Sequence, residues 1–515
     1  MRNKIRFTLC VKFCPNTTGF GAIFPVVCAL VVIGAKCWMI NRYASPTPFW
    51  DQWDAEGAIL YPRYFAGTLH ISDLIALHNE HRILTTRLWA LLLLELGGYW
   101  DPLLQMVTNT LVLGAFVVLF VAAFRPFLDR ASWLAFGLFS LVIFSLPFGS
   151  QNTLDGFQSQ WYFLLLFSVA GLFAIIHAAA FTPRWWLAML LLILSYFSVA
   201  SGALSVAAAF AICSLQTIAR RRSGLSEWLA LAILAAVMIV MLWYIPVLPY
   251  HAPLKAHSIG QFLYALVTIA VWPLMSGPVI MLTLSAILIH APAWLTSIDV
   301  IRRRPPLADR RWLLVALTGW LALQATTIAY GRAAGPTSSR YLDVFAIGLP
   351  LNAACLLLFW RASEKQLPQR RLAFGMGAIW LLFVLCGLAL NTITRSQAEL
   401  ANEQAQGQDW TKNLRAYLDT GDIGALENQP FLHIPYPDAQ RLAEIASSPV
   451  IRAILPPALV GKANAARTQE RGLARFTGRL IEAFKDAMLR WGVLLMPTCS
   501  LLLLLAWAAQ WQRRE

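Results

Sequence analysis

The sequence predicts an all-α polytopic membrane protein with about 12 transmembrane helices. Three observations carry that reading. Of 515 residues, 58% are hydrophobic and only 13% are charged, whereas soluble domains run near 25% charged. Apolar runs of roughly 17–25 residues recur along the chain, each long enough to cross a hydrocarbon core of about 30 Å. The gaps between alternate runs hold arginine clusters, as expected of loops kept on the cytoplasmic side. A conventional soluble enzyme and a disordered chain are both excluded. The formal net charge of +15 comes from 41 Lys and Arg against 26 Asp and Glu. The basic residues lie in short loops rather than on one folded domain, so they read as topology signals and not as a nucleic-acid surface.

The elements follow in order. A basic start (Arg2, Lys4, Arg6, Lys12) precedes an apolar run over 19–40. It is too long for a signal-peptide core and is read as a retained first span with a cytoplasmic N-terminus. Residues 41–100 mix carboxylates with aromatics and form a large outer loop. Spans then fall at 102–124, 132–149 and 161–181, followed by a tight pair over 185–219 that turns at Ser201-Gly202. Arg125 with Arg130, Arg184, and Arg220 to Arg222 mark the cytoplasmic gaps. A seventh span covers 227–248. Residues 249–277 are broken by Pro249, Pro253, Pro273 and Gly277, so they read as an outer loop with a membrane-lying helix. Further spans are expected at 278–298, 312–331, 341–360, 373–391 and 490–510, with both termini inside. Three parts result: a membrane module over 1–391, a charge-rich outer helical domain over 392–489, and a last span with a tail over 490–515. Asp438 is positioned to cap a short helix in the outer domain. Of the eight cysteines, most lie in apolar runs and act as small hydrophobes, and no pair has metal-site or disulfide spacing.

Chemistry collects at the outer ends of the spans. Pro48-Phe49-Trp50-Asp51-Gln52-Trp53-Asp54-Ala55-Glu56 places carboxylates at the mouth of the first span. A carboxylate walled by Trp50 and Trp53 suits a general base, with Asp51 first and Asp54 second. His78-Asn79-Glu80-His81-Arg82 holds two histidines three apart, not the i, i+4 pair of a zinc helix. It reads instead as a polar wall, with Arg82 available to a phosphate. Arg332, Arg340 and Tyr341 lie where two late spans meet the outer face, and arginine forks match phosphate oxygens. Gln158, in the amide-rich stretch 151–161, suits sugar hydroxyls. No protein-bound metal is expected, and assistance by a divalent cation is left open.

On these residues the chain resembles the GT-C class of membrane glycosyltransferases, and within it a poorly characterised branch of the bacterial relatives of protein O-mannosyltransferases and of the lipid A aminoarabinose transferase. The likeness rests on Asp51-Gln52-Trp53-Asp54 after the first span, on His78 to Arg82 at the loop end, and on Ser339-Arg340-Tyr341 opening a late span. The class has an adjacent acidic pair where this chain separates Asp51 from Asp54, and a Lys-Pro-Pro segment where it has His-Asn-Glu-His-Arg. The resemblance implies a GT-C-like fold in a bacterial inner membrane. It also implies a polyprenyl-phosphate sugar donor, a glycan, lipid or protein acceptor on the outer face, and inversion by an Asp base. An O-antigen polymerase or ligase type of enzyme, a transporter or flippase, and a non-catalytic assembly protein are the rival expectations.

Overall fold

The computed structural model describes residues 19–274, 277–363, 367–461 and 472–511. The expectations for Arg2, Lys4, Arg6 and Lys12 lie outside these residues. Within them the protein is all-helical, and the one non-helical pairing is an isolated bridge between His78 and His81. Among the described residues, eleven helices are long and apolar enough to cross a membrane. The twelfth expected span, the first of the tight pair, is the helix Pro183–Tyr196. At 14 residues it is about 21 Å long, short of a full crossing unaided.

Helix α1 (Gly19–Tyr43) lies against α3 (Pro102–Phe124), α4 (Arg130–Ser145) and the last helix, Leu495–Trp511. Between them α2 (Leu84–Gly97) closes the first loop and ends at Gly98, whose φ of +85° forms a left-handed cap. Asp101 accepts from Leu104 N at 3.1 Å, with Pro102 at the first position, so α3 begins with its exposed donor satisfied. The next helices are α5 (Ser159–Ile175), α6 (Pro183–Tyr196), α7 (Ala203–Ile218) and α8 (Leu225–Trp243). The α6–α7 turn needs glycine: a Cβ at Gly202 would collide with the Ser195 carbonyl. In the proline-broken stretch, α9 (Ile259–Val271) packs on α10 (Val279–Arg303) and α11 (Trp312–Gly331). Then follow α12 (Ser339–Ala346), α13 (Gly348–Ala362) and α14 (Leu367–Asn391).

Alternating helix direction separates two faces. On one, Arg222 donates to Ala178 O and Ile175 O, and Arg221 Nε to Arg304 O, so the arginine-rich gaps touch each other. On the other, the loops after α1, α6, α8 and α11 converge; we call it the loop face. Within α1, Lys36 is fully buried and donates to Leu146 O at 2.9 Å.

The described residues between 392 and 489 are largely helical and share a core with the first loop. Helix α14 passes through a π turn (Thr392–Ser396) into α15 (Gln397–Thr420). Asp438 caps α16 (Ala439–Ser447) by accepting from Arg441 N. One apolar core joins Leu414, Leu442, Ile445 and Ile451 of this region to Trp53, Leu60, Tyr61 and Trp100 of the first loop. Gly57 lets the loop approach, since a Cβ there would sit 3.1 Å from Ile445.

Candidate functional site

Asp51 is presented by a loop anchored on both sides. Trp50 N donates to Pro435 O at 2.8 Å, Trp53 Nε1 donates to Pro48 O at 2.7 Å, and Phe49 stacks on Trp410 at 4.2 Å. Trp50 takes φ +48°, which turns the chain sharply before the π helix Trp53–Leu60. The second strand of the site is the His78–His81 bridge, with reciprocal backbone bonds of 2.8 and 3.0 Å and Asn79 at φ +51°. Arg87, almost fully buried, donates to Leu74 O and Ala76 O and so fixes the segment leading into that turn.

These parts meet in a cavity of about 400 Å³ on the loop face. Asp51, His78, Glu80, His81, Arg332, Arg340 and Tyr341 all line it. Its other walls mix apolar and aromatic side chains, including Trp50, Phe157, Trp161, Leu204, Leu242 and Ile245, with the polar Asn79, Gln160, Ser201 and His251. His78 Nε2 lies 3.3 Å from Asp51 Oδ1. Burial pushes the Asp51 carboxyl up. The contact with His78 and the nearby Arg340 guanidinium outweigh it, leaving the group below its ordinary value. Glu80 pairs with Arg332 and, through Oε2, with His251 Nδ1 at 3.0 Å. Burial raises its carboxyl too, but His81, Arg332 and His251 bring it below the usual range. His81 is pushed down to about 4 by burial. Its ring is therefore neutral near pH 7, and Nδ1 accepts from Ala200 N at 3.3 Å.

The two arginines differ. Arg332 is committed to Glu80 and to Tyr341 Oη, which Nε reaches at 3.2 Å. Arg340 has no carboxylate at ion-pair distance among the described residues, and its guanidinium lies 5.6 Å from the Tyr341 ring centroid. Its backbone is held from below: Asn152 Nδ2 donates to Arg340 O at 2.9 Å and to Asp343 Oδ2 at 2.8 Å.

Three residues singled out in the sequence lie elsewhere. Asp54 accepts from Tyr436 Oη at 2.7 Å and faces Arg441, away from the cavity. Arg82 donates to Ile75 O at 2.8 Å and lines a separate groove. Gln158 is buried behind the wall and donates to Asp155 Oδ2 at 3.1 Å. Conversely, His251, Gln160 and Glu56 belong to the site or its support and were not singled out. Glu56 is fully buried against Gln105 and Tyr61 just beneath the loop, and burial pushes it up to about 7 against the hydrogen bonds it receives. Among the described residues, no three His, Cys, Asp or Glu side chains converge as metal ligands do.

The fold and the site define a multi-pass helical membrane protein with one acid- and arginine-lined cavity at its loop face. Searches with protein-family models, curated proteins and solved structures found no match to the chain.

Proposed function

We propose that the protein is a GT-C-like membrane glycosyltransferase that moves a sugar from a polyprenyl-phosphate donor to a glycan, lipid or protein acceptor. The observation that carries this reading is the placement of a carboxylate held ionised (Asp51) and a guanidinium without a carboxylate partner among the described residues (Arg340) on one cavity between membrane helices. Asp51 takes the proton of the acceptor hydroxyl as its oxygen forms the new bond to the anomeric carbon. The anomeric carbon–phosphate oxygen bond breaks on the opposite side, inverting the centre, and the phosphate leaves with the electron pair. Arg340, with Arg332 and Tyr341 behind it, stabilises that charge. The proton then passes from Asp51 to water. Glu80 holds Arg332 and His251 in place rather than acting on the sugar. In this reading the loop face is the outer face of a bacterial inner membrane, and the arginine-rich face and both termini are cytoplasmic.

The test is glycan and lipid mass spectrometry on a deletion strain complemented with wild type, Asp51→Asn or Arg340→Ala. The expected result is loss of one sugar-sized mass from an envelope molecule, restored by wild type and by neither variant. Restoration by Asp51→Asn but not by Arg340→Ala would replace the general-base mechanism with a polymerase- or ligase-type reaction on a lipid diphosphate. No mass difference between the strains would overturn the transferase reading.

A further inference from the structure

Arg82 defines a second site, outside the cavity. Its groove, about 460 Å³, is lined by Ile75, Ile193, Tyr196, Phe197, Val237 and Met241 with neighbouring residues of α6 and α8, and Arg82 is its only charged member. The guanidinium is half-buried, makes one bond to the Ile75 carbonyl, and lies 5.8 Å from the Tyr244 ring centroid. Among the described residues, no carboxylate comes within ion-pair distance of it. The groove runs down the loop-face ends of two membrane helices. Its lining includes exposed Tyr244, a residue type that sits at headgroup level, and the next residue in the chain toward α8 is exposed Trp243. A lone cation at that depth above an apolar trough is complementary to one kind of occupant: an acyl chain below and an anionic headgroup above. A thin wall separates it from the catalytic cavity. Tyr196 and Phe197 face the groove while Val199 to Ser201 face the cavity, and Met241 faces the groove while Leu242 faces the cavity.

We propose that this groove binds an anionic phospholipid of the surrounding bilayer, its phosphate on Arg82 and one acyl chain between α6 and α8. The bound lipid completes the bilayer-facing side of the wall behind Val199 to Ser201. The site does not depend on the chemistry of the cavity.

The test uses the full chain purified in detergent and native mass spectrometry with phosphatidylglycerol or phosphatidylcholine of the same acyl chains. Wild type should retain phosphatidylglycerol preferentially. Arg82→Gln should lose about tenfold or more of that preference, in line with a charge-assisted hydrogen bond, and Arg82→Lys should keep most of it. Val237→Trp, which fills the trough without touching the guanidinium, should lower retention of both lipids and serves if Arg82→Gln fails to fold. Equal retention of the two lipids by wild type, an unchanged preference in a folded Arg82→Gln, or unchanged retention of both lipids in Val237→Trp would overturn the proposal. So would displacement of phosphatidylglycerol by a polyprenyl phosphate in wild type but not in Arg82→Gln, which would make the groove a donor seat.

Discussion

Asn152 joins Arg340 to Asp343: one side-chain amide donates to the backbone carbonyl of the first at 2.9 Å and to the carboxylate of the second at 2.8 Å. The Arg340 guanidinium, which has no carboxylate partner among the described residues, is therefore set by a buried polar clamp at the start of α12. Replacing Asn152 with Leu leaves the Asp343 carboxylate without that donor. The expected outcome is a loss of about 1–3 kcal/mol of stability together with weaker donor binding, read as a lower Tm and a raised KM. A lower Tm with donor KM unchanged would show that the clamp does not position Arg340.

The two aspartates of the first loop should separate cleanly. Asp51→Asn is expected to lower turnover by about 10²–10⁴, the range for removal of a general base. Asp54→Asn should leave turnover within a few-fold of wild type, because Asp54 faces Tyr436. Quantifying product in membranes of the two variants decides this, and equal loss in both would sink the assignment.

Arg332 and Glu80 should behave as a coupled pair. Each single change to Gln leaves a partly buried charge without its main partner, and the double change removes both. A double-mutant cycle on Tm is expected to give a coupling on the order of 1–3 kcal/mol. His251→Ala should have a smaller effect, since Glu80 keeps Arg332.

Glu56 predicts a pH dependence of stability. Its folded-state value, pushed to about 7 by burial, lies above the ordinary 4.5. Between those values the folded protein holds the proton more tightly than the unfolded chain, so stability falls as pH rises and the cost levels off above 7. Glu56→Gln should remove that term, on the order of 3 kcal/mol at full ionisation. Thermal melts in one detergent should therefore show the variant gaining on wild type from pH 5 to pH 8. A constant difference across that range would contradict the burial argument.

The long spans were legible because apolar length is a one-dimensional signal, and arginine placement reported their alternation. The short helix Pro183–Tyr196 looked like an equal partner because composition does not reveal where a turn begins. Asp51 and His78 were both legible as candidates, while their contact depends on a loop fold that has no periodicity. Asp54 sits three residues after Asp51, a spacing that shares a face on an ordinary helix. The π register starting at Trp53 changes the angular step, and Asp54 turns toward Tyr436. Arg82 follows His81 directly where the chain leaves the bridge, yet His81 lines the cavity and Arg82 the separate groove, a division that no periodicity signals. His251 was hidden in a proline-rich break whose pattern gives no facing information.

The shared core of the first loop and the 392–489 region sets an order of events during synthesis. The hydrogen bond from Tyr436 to Asp54 joins residues 382 positions apart. At roughly 5–20 residues per second the ribosome needs on the order of 20–80 s to add that length. Trp53, Tyr61 and Trp100 thus spend that interval without the leucines and isoleucines that finally cover them. The part of the chain that carries the site is made first and completed last, so a chain stopped before α15 carries every cavity residue but lacks the partners, Trp410 and Pro435 among them, on which the Asp51 loop rests.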